Sequence, residues 1–509
     1  MKHYPIKRTF LYNLLLLVVT AVSADAQTTT PTPQWRPAYH FTPPKNWTND
    51  PNGLLYLNGE YQLYYQHNPF ENKWGHMSWG HATSTDLVHW KNLPVAIPEI
   101  ITKDTTTWIY SGSAVLDKNN TSGFGKNGKA PIVAIFTADQ PTQKKESQFI
   151  AYSNDGGLTY TQYSGNPVID LNKKDFRDPN VFWYEPTKQW IMTVAMVDEH
   201  MVRLYGSKDL KAWTKLSDFG PAGYTKNGWE CPSLLPLIVD GSPANIKWVL
   251  LVSSGGDHGP LMQYYVGDFD GITFKNSNDA SKILTVDYGD AFYAAIAWRD
   301  APRNKNTLLG WIQNGRQETY PWEGQMSIPR DLSLKTTADG IRLIQQPAAV
   351  VKSNLGEISA GVTVVKNKVL DESDSPISGV GNSNSYWIEA EVLLKAAKNA
   401  GFKIVQNKLK PDNDITVGYD SEKQELYIDC TKAEKNNKSA ANLIQRMPLK
   451  PVNGKVKIQL LVDRSSVEVF GNDGEQVITT QIYPEVLGTG AAVFGKGSEM
   501  SMKIWDMSK

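Results

Sequence analysis

Short runs of alternating apolar and polar residues, broken by Gly, Asn, Asp and Pro, fill most of this chain. LLYLNGEYQLYYQ (54–66), VFWYEPTKQWIMTV (181–194), NIKWVLLVSS (245–254) and MQYYVGDFDGITF (262–274) read as strands joined by tight turns. Helical periodicity is scarce until DLSLKTTADGIRLIQQPAAVV (331–351), whose second half, 341–351, is expected to be helical and to mark a junction. Beyond about Gly361 the alternation becomes regular: SYWIEAEVLL (385–394), ITVGYDSEKQELYIDC (415–430) and KVKIQLLVDRSSVEVFGNDGEQVITTQIYP (455–484) carry GND and DGE turns and predict an antiparallel β-sandwich.

The first part of the chain repeats. A motif followed by a strand recurs at Asp50 in NWTNDPNG, Ser111 in WIYSGSAV, Asp178 in DFRDPNVF, Glu230 in GWECPSLL and Asp290 in DYGDAFYAAIAW, about sixty residues apart each time. Such a unit holds four short strands with their loops, so the fold class is all-β: a five-bladed β-propeller followed by the sandwich. The expected division is a leader over 1–26, the propeller over 35–340, and a linker with the sandwich over 341–509. If each motif opens the innermost strand of its blade, Asp50, Asp178 and Glu230 meet at one mouth of the central channel, with Pro and Gly fixing a turn that aims each carboxylate at the axis.

At 509 residues the chain exceeds what a single core supports, which agrees with two domains. Lys and Arg (52) balance Asp and Glu (52), so no global field draws the protein to nucleic acid or to an anionic membrane, and an uncharged partner is expected. Sixteen Trp and 23 Tyr suit carbohydrate, whose C–H faces stack on rings that also hydrogen-bond, although all-β proteins are rich in aromatics for other reasons. The N-terminus has Lys2, Lys7 and Arg8, an apolar run from Leu14 to Val22 and an Ala24-Asp25-Ala26 end. It reads as a secretory signal peptide cleaved before Gln27, too short to anchor in a membrane, and places the mature protein outside the cell or in the periplasm. Only Cys231 and Cys430 occur, so no disulfide framework is expected.

Two carboxylates flanking a glycosidic bond are the minimum for glycoside hydrolysis. Glu230, between Trp229 and Cys231-Pro232, is expected to be poorly solvated and to donate the proton; Asp50, backed by Asn49 and Asn52, is expected to be the nucleophile; Asp178, beside Arg177, is expected to stay ionised and to bind sugar hydroxyls. His67, His76 and His81 have no usual metal spacing, so no metal is expected. Ser113 lacks a nucleophile elbow, and Cys231 reads as a packing residue.

In order and spacing, WTNDPNG, FRDP and WECP resemble the three signature boxes of glycoside hydrolase family 32, the invertases, inulinases and levanases, and further boxes (YQHNP, YSGSAV, SIPRDL, VDRSSVEVFGNDG) are similar to bacterial levanases. The resemblance implies the propeller and sandwich, retention of configuration, no cofactor, and a fructan or sucrose substrate. It puts the nucleophile on Asp50, the transition-state stabiliser on Asp178 and the acid/base on Glu230, with sugar contacts at Asn49, Gln66, Trp74, Ser111, Arg177 and Trp298. Two departures concern the leaving-group side: Thr48 stands where Met or Leu is usual, and Ala291 stands where an acid is expected, with Asp290 one place early. Three readings stay open: an exo-acting fructan hydrolase, an endo-levanase or fructosyltransferase using the same site, and a non-catalytic fructan-binding protein.

Overall fold

The computed structural model describes residues 32–508 apart from 257–258, 303–304, 314–317, 372–373, 379, 381–383, 408–409, 411–412 and 435–442. The leader expected over 1–26 lies outside the described residues. Strands between Asn46 and Pro347 form five four-stranded antiparallel blades. The inner strands are Asn46–Leu57, Thr106–Leu116, Phe176–Tyr184, Glu230–Val239 and Phe292–Ala301. Each lies against the next, and the fifth returns to the first, which closes a ring around the axis. Blades pack face to face, so their middle strands are covered on both sides. Residues Ile132–Gln140 are accordingly buried at every position except the last, and the period-two signal there gives way to a continuous apolar run.

The ring is sealed by a short segment, Trp322–Glu323, which follows the fifth inner strand and pairs in parallel with Asn46–Trp47 of the first. Gly324, next in sequence, has φ +92°, and a Cβ there would sit 2.1 Å from the Thr48 carbonyl oxygen, so a side chain would push the seam apart.

The helical junction expected over 341–351 is mostly strand. Gly340–Pro347 pairs with Arg330–Thr337 as the outer hairpin of blade five, turned by Ala338-Asp339 ahead of Gly340, and helix is confined to Ala349–Ser353 and Leu355–Ile358. The hairpin partner, remote from any helical pattern, decides the conformation. The second domain, Gly361–Asp506, is a sandwich of two six-stranded antiparallel sheets over a core that includes Ile388, Phe402, Val417 and Leu460. Among the described residues no helix is long and apolar enough to cross a membrane.

A buried polar cluster joins the domains. The wholly buried Arg330 guanidinium of the propeller donates to Asp287 (3.0 Å), to Gln345 (3.0 Å), and to Glu468 (2.5 Å) and Thr479 (2.6 Å) of the sandwich, and it stacks over Phe292. His40, also buried, lies between Asp463 (2.8 Å) and Glu468 (2.9 Å). Asp463 further accepts the backbone N–H groups of Ala38, Tyr39 and His40, so the entry to the propeller is tied to the sandwich.

Candidate functional site

All five inner strands carry a bulge at the same level. Two residues on the inner strand oppose one on its neighbour at Asn49-Asp50, Tyr110-Ser111, Asp178-Pro179, Cys231-Pro232 and Ala294-Ala295. A bulge re-aims side chains and leaves backbone groups unpaired. The carboxylates are therefore aimed from within strands, and the turn expected from their Pro and Gly neighbours is absent. In blades three to five the first bulged residue, Asp178 (φ 65°), Cys231 (φ 49°) or Ala294 (φ 52°), is left-handed, a conformation that costs non-glycine residues on the order of 1–2 kcal/mol. Each freed N–H finds a side-chain acceptor: Asp178 N–H bonds Thr137 Oγ1 (3.0 Å), Cys231 N–H bonds Asp178 Oδ2 (2.9 Å) and Ala294 N–H bonds Ser253 Oγ (3.1 Å).

The bulges also correct the alignment of the repeats. Asp50 and Ser111 occupy second bulge positions, Asp178 a first, and Glu230 precedes its bulge, as Arg177 and Tyr293 do on the flanking blades. Asp290 falls short of its bulge and accepts a hydrogen bond from Thr480 of the sandwich (2.7 Å). The sequence spacing was blind to such offsets of one or two residues.

These positions make two linked groups. In the first, Asp50 accepts Ser111 Oγ–H (2.6 Å) and Asn49 Nδ2–H (2.9 Å), and Asn49 is oriented by Trp47 Nε1–H (2.8 Å). The Cys231 thiol lies 3.5 Å from both Asp50 Oδ2 and Asp178 Oδ2. In the second, Glu230 accepts Arg177 Nε–H on one oxygen (2.9 Å) and the Tyr293 hydroxyl on the other (2.6 Å). The same guanidinium reaches Glu146 (3.0 Å) and Asp175 (2.9 Å), so one cation faces three carboxylates.

This inverts the expected environments. Arg177 pairs with Glu230 across the blades, while Asp178, its sequence neighbour, is 6% exposed against 29% for the Glu230 side chain. Burial first, then the charges of Glu230 and Asp50, raise the Asp178 carboxyl well above the usual range, against the expectation that it is held ionised. Burial also raises Asp50, opposed by its hydrogen bonds from Ser111 and Asn49. Asp50 and Asp178 thus hold a proton more tightly than isolated carboxylates do. Burial and the surrounding carboxylates push the Cys231 thiol far up, so it stays a neutral donor. Asp50, Asp178 and Cys231 do place ligand atoms within 4.8 Å of one another. A protonated thiol is a poor metal ligand, however, and the donor set fits a hydrogen-bonded reaction site better than a cation site.

Of the residues expected to touch sugar, Asn49, Ser111 and Arg177 lie in these networks. Gln66 sits opposite the first bulge, buried, its Nε2 donating to the Ile109 carbonyl (3.0 Å). Trp74 is exposed at the rim, edge-on to Trp108. Trp298 does not belong: it is completely buried, its indole N–H is bonded to the Gln62 carbonyl (2.9 Å), and it packs on Tyr61 and Trp90, leaving no face for a ligand. Sequence reasoning missed Tyr293. It lies inside the DYGDAFYA box, yet only the bulge shows that it shares a level with Arg177 and Glu230.

Two family models match the chain: the N-terminal domain of glycosyl hydrolases family 32 over residues 40–347 and the family's C-terminal domain over 354–506. A levanase of Bacillus subtilis is 43% identical over 501 residues, which cover 96% of this chain and 72% of the relative. An extracellular exo-inulinase of Aspergillus awamori is 37% identical over 490 residues, covering 88% and 90%. The crystal structure of exo-inulinase from the same fungus superposes with a TM-score of 0.85 at 35% identity, covering 93% of this chain and 98% of that one.

Proposed function

We propose, from the premise that this chain belongs to glycosyl hydrolase family 32 and is a β-fructofuranosidase-type glycoside hydrolase, that it releases terminal fructose from β-fructans and from sucrose by double displacement. The supporting observation is the division of the acids into two hydrogen-bonded environments, each built across neighbouring inner strands: Asp50 fixed by Ser111 and Asn49, Glu230 fixed by Arg177 and Tyr293. In the first step an Asp50 oxygen bonds to the anomeric carbon of the fructosyl unit, the bond to the leaving oxygen breaks, and Glu230 gives that oxygen its proton. In the second, Glu230 takes a proton from water as the water oxygen attacks the anomeric carbon, and the ester to Asp50 breaks. Asp178, held by the Cys231 N–H, binds ring hydroxyls and faces the positive charge of the oxocarbenium-like transition state. No cofactor enters these steps. The N-terminal leader and the extracellular exo-inulinase relative support export of the mature enzyme.

Exo action is supported by the arrangement of Asn49, Gln66, Arg177 and Asp178 around one channel mouth, which suits a single terminal unit. With levan, inulin and sucrose, free fructose should dominate from the earliest time points, separated by chromatography. An early ladder of oligofructosides would identify an endo enzyme, products longer than the substrate would identify a transferase, and no products at all would leave only binding.

For Glu230 the expected outcome of Glu230→Gln is a loss that depends on the leaving group. Hydrolysis of sucrose should fall by about 10²–10⁴-fold, the usual worth of general acid catalysis, whereas an activated aryl fructoside, which leaves without a proton, should lose much less in its first step. Equal losses for both, read from kcat/KM and single-turnover rates, contradict the assignment.

A further inference from the structure

Around the rim on blades one and two runs a continuous line of rings. Tyr110 and Trp108, two residues apart on the second inner strand, point to the same side, with centroids 6.5 Å apart. Trp74 packs against both (6.2 and 5.2 Å), His76 lies 6.2 Å from Trp108, and Phe70 meets His76 edge-on at 5.3 Å. Ile101, across the strand pair from Thr106, shares the Trp108 side and is 70% exposed. Among the described residues the Phe and Trp that remain exposed are Phe70 (67%) and Trp74 (51%), and both belong to this line. The His76 ring is held by Glu99 (3.0 Å), so the line is fixed where a loose surface patch would not be.

The inner end of the line is the site itself. Tyr110 precedes Ser111, the donor to Asp50, and its hydroxyl lies near Asp139, which feels the charge of Arg177, the partner of Glu230. Glu230 must reach the leaving oxygen, so the surface that leads away from the Arg177 side carries whatever follows that oxygen. We infer that Trp108, His76 and Phe70 form a platform, beyond Trp74 and Tyr110, for the second and later fructosyl units of a fructan chain on the leaving-group side. The inference rests on the fructan reading above and extends it from the cleaved unit to the polymer. Fructosyl C–H faces stack on exposed rings, while an uncharged chain asks for none of the ionic contacts that a protein or nucleic acid would use. Its continuity with the reaction site favours the substrate over any independent partner.

The test compares kcat/KM on sucrose, a trisaccharide and long levan or inulin for the wild type, Phe70→Ala, Trp108→Ala and Trp108→Phe. The polymer-to-sucrose ratio should fall about threefold for Phe70→Ala and about tenfold for Trp108→Ala, through polymer KM, as expected for loss of one and of the central stacking ring. Trp108→Phe, which keeps a ring, should recover most of the ratio. Because the readout is a ratio, a general loss of activity or fold in Trp108→Ala cancels, and the highly exposed Phe70 carries the test independently. An unchanged ratio in both alanine variants overturns the platform while leaving the fructan reading intact. A change in oligomeric state with an unchanged ratio assigns the rings to self-association and overturns it too. A wild type inert on every fructoside removes the function first and the platform with it.

Discussion

Asp50→Asn is expected to abolish turnover, with kcat/KM falling by roughly 10⁴-fold or more, while the fold and fructoside binding survive. An amide is nearly isosteric with the carboxylate, and its oxygen still accepts the Ser111 hydroxyl; its NH2 group gives up only the bond from Asn49 Nδ2–H, so the bulge is kept. What it lacks is the anion that forms the ester with the anomeric carbon. The remaining groups, Asp178 and Glu230 with their donors, still bind the ring and polarise the leaving oxygen, which leaves a residual rate well above that in water. Circular dichroism and a melting curve would show the intact fold, and calorimetric titration with sucrose would show retained binding. Turnover within tenfold of wild type would mean that the covalent step, if there is one, belongs to another residue.

The largest expected effect on stability lies far from the site, at Arg330. Its guanidinium answers two buried carboxylates, Asp287 and Glu468, one from each domain. Removing one partner of a buried pair strands the other charge, so Arg330→Met should cost about 3–5 kcal/mol. Because Glu468 also holds His40, the loss should separate the melting of the two domains. The same cluster carries a pH dependence. His40 is raised to about 9: burial acts against its charge, and the hydrogen bonds and charges of Asp463 and Glu468 outweigh it. An unfolded His titrates near 6.5. The folded protein therefore binds a proton that the unfolded chain releases, and this stabilisation is complete below about pH 6.5 and is lost as pH rises through about 9. Asp463 and Glu468, lowered by His40 and Arg330 against burial, act in the opposite window: their contribution holds above the usual carboxylate range and is lost only in stronger acid. Melting temperatures across pH 6–10 should decline for the wild type and stay flatter for His40→Gln; parallel curves would show that the ring is neutral in the fold.

The sequence displayed its acids because a bulge imposes local chemistry: a Pro near the irregularity, small or polar neighbours, and recurrence in every blade. Asp50, Asp178 and Glu230 were legible on those grounds, and so was the number of blades. What decided their environments was not local. Arg177 looks like the partner of Asp178 along the chain, but a strand sends adjacent side chains to opposite faces, and the guanidinium meets Glu230 on the next blade. Trp298 and Trp74 are alike in sequence as large aromatics near a motif; one fills the core and the other stands in solvent. Tyr293 was hidden among 23 tyrosines because its significance is its level on the axis. The misread helix over 341–351 has the same origin, since the pairing of Gly340–Pro347 with Arg330–Thr337 overrides a weak local pattern.

The seam at Trp322–Glu323 has a bearing on how the enzyme would fail. The strand it grips, through Asn46–Trp47, is the strand that carries Asn49 and Asp50 two turns of the pleat further on. A two-residue parallel contact is a short fastening, and the opening of such a contact requires far less than the melting of a blade. When it loosens, the nucleophile drifts from Ser111 while Glu230 and Asp178, anchored in blades three and four, stay in place. Heat or denaturant would then silence the enzyme before any loss of ellipticity, and a bound fructosyl unit spanning Asp50 and Asp178 would act as a clasp, so that substrate protects against inactivation more than it raises the melting point.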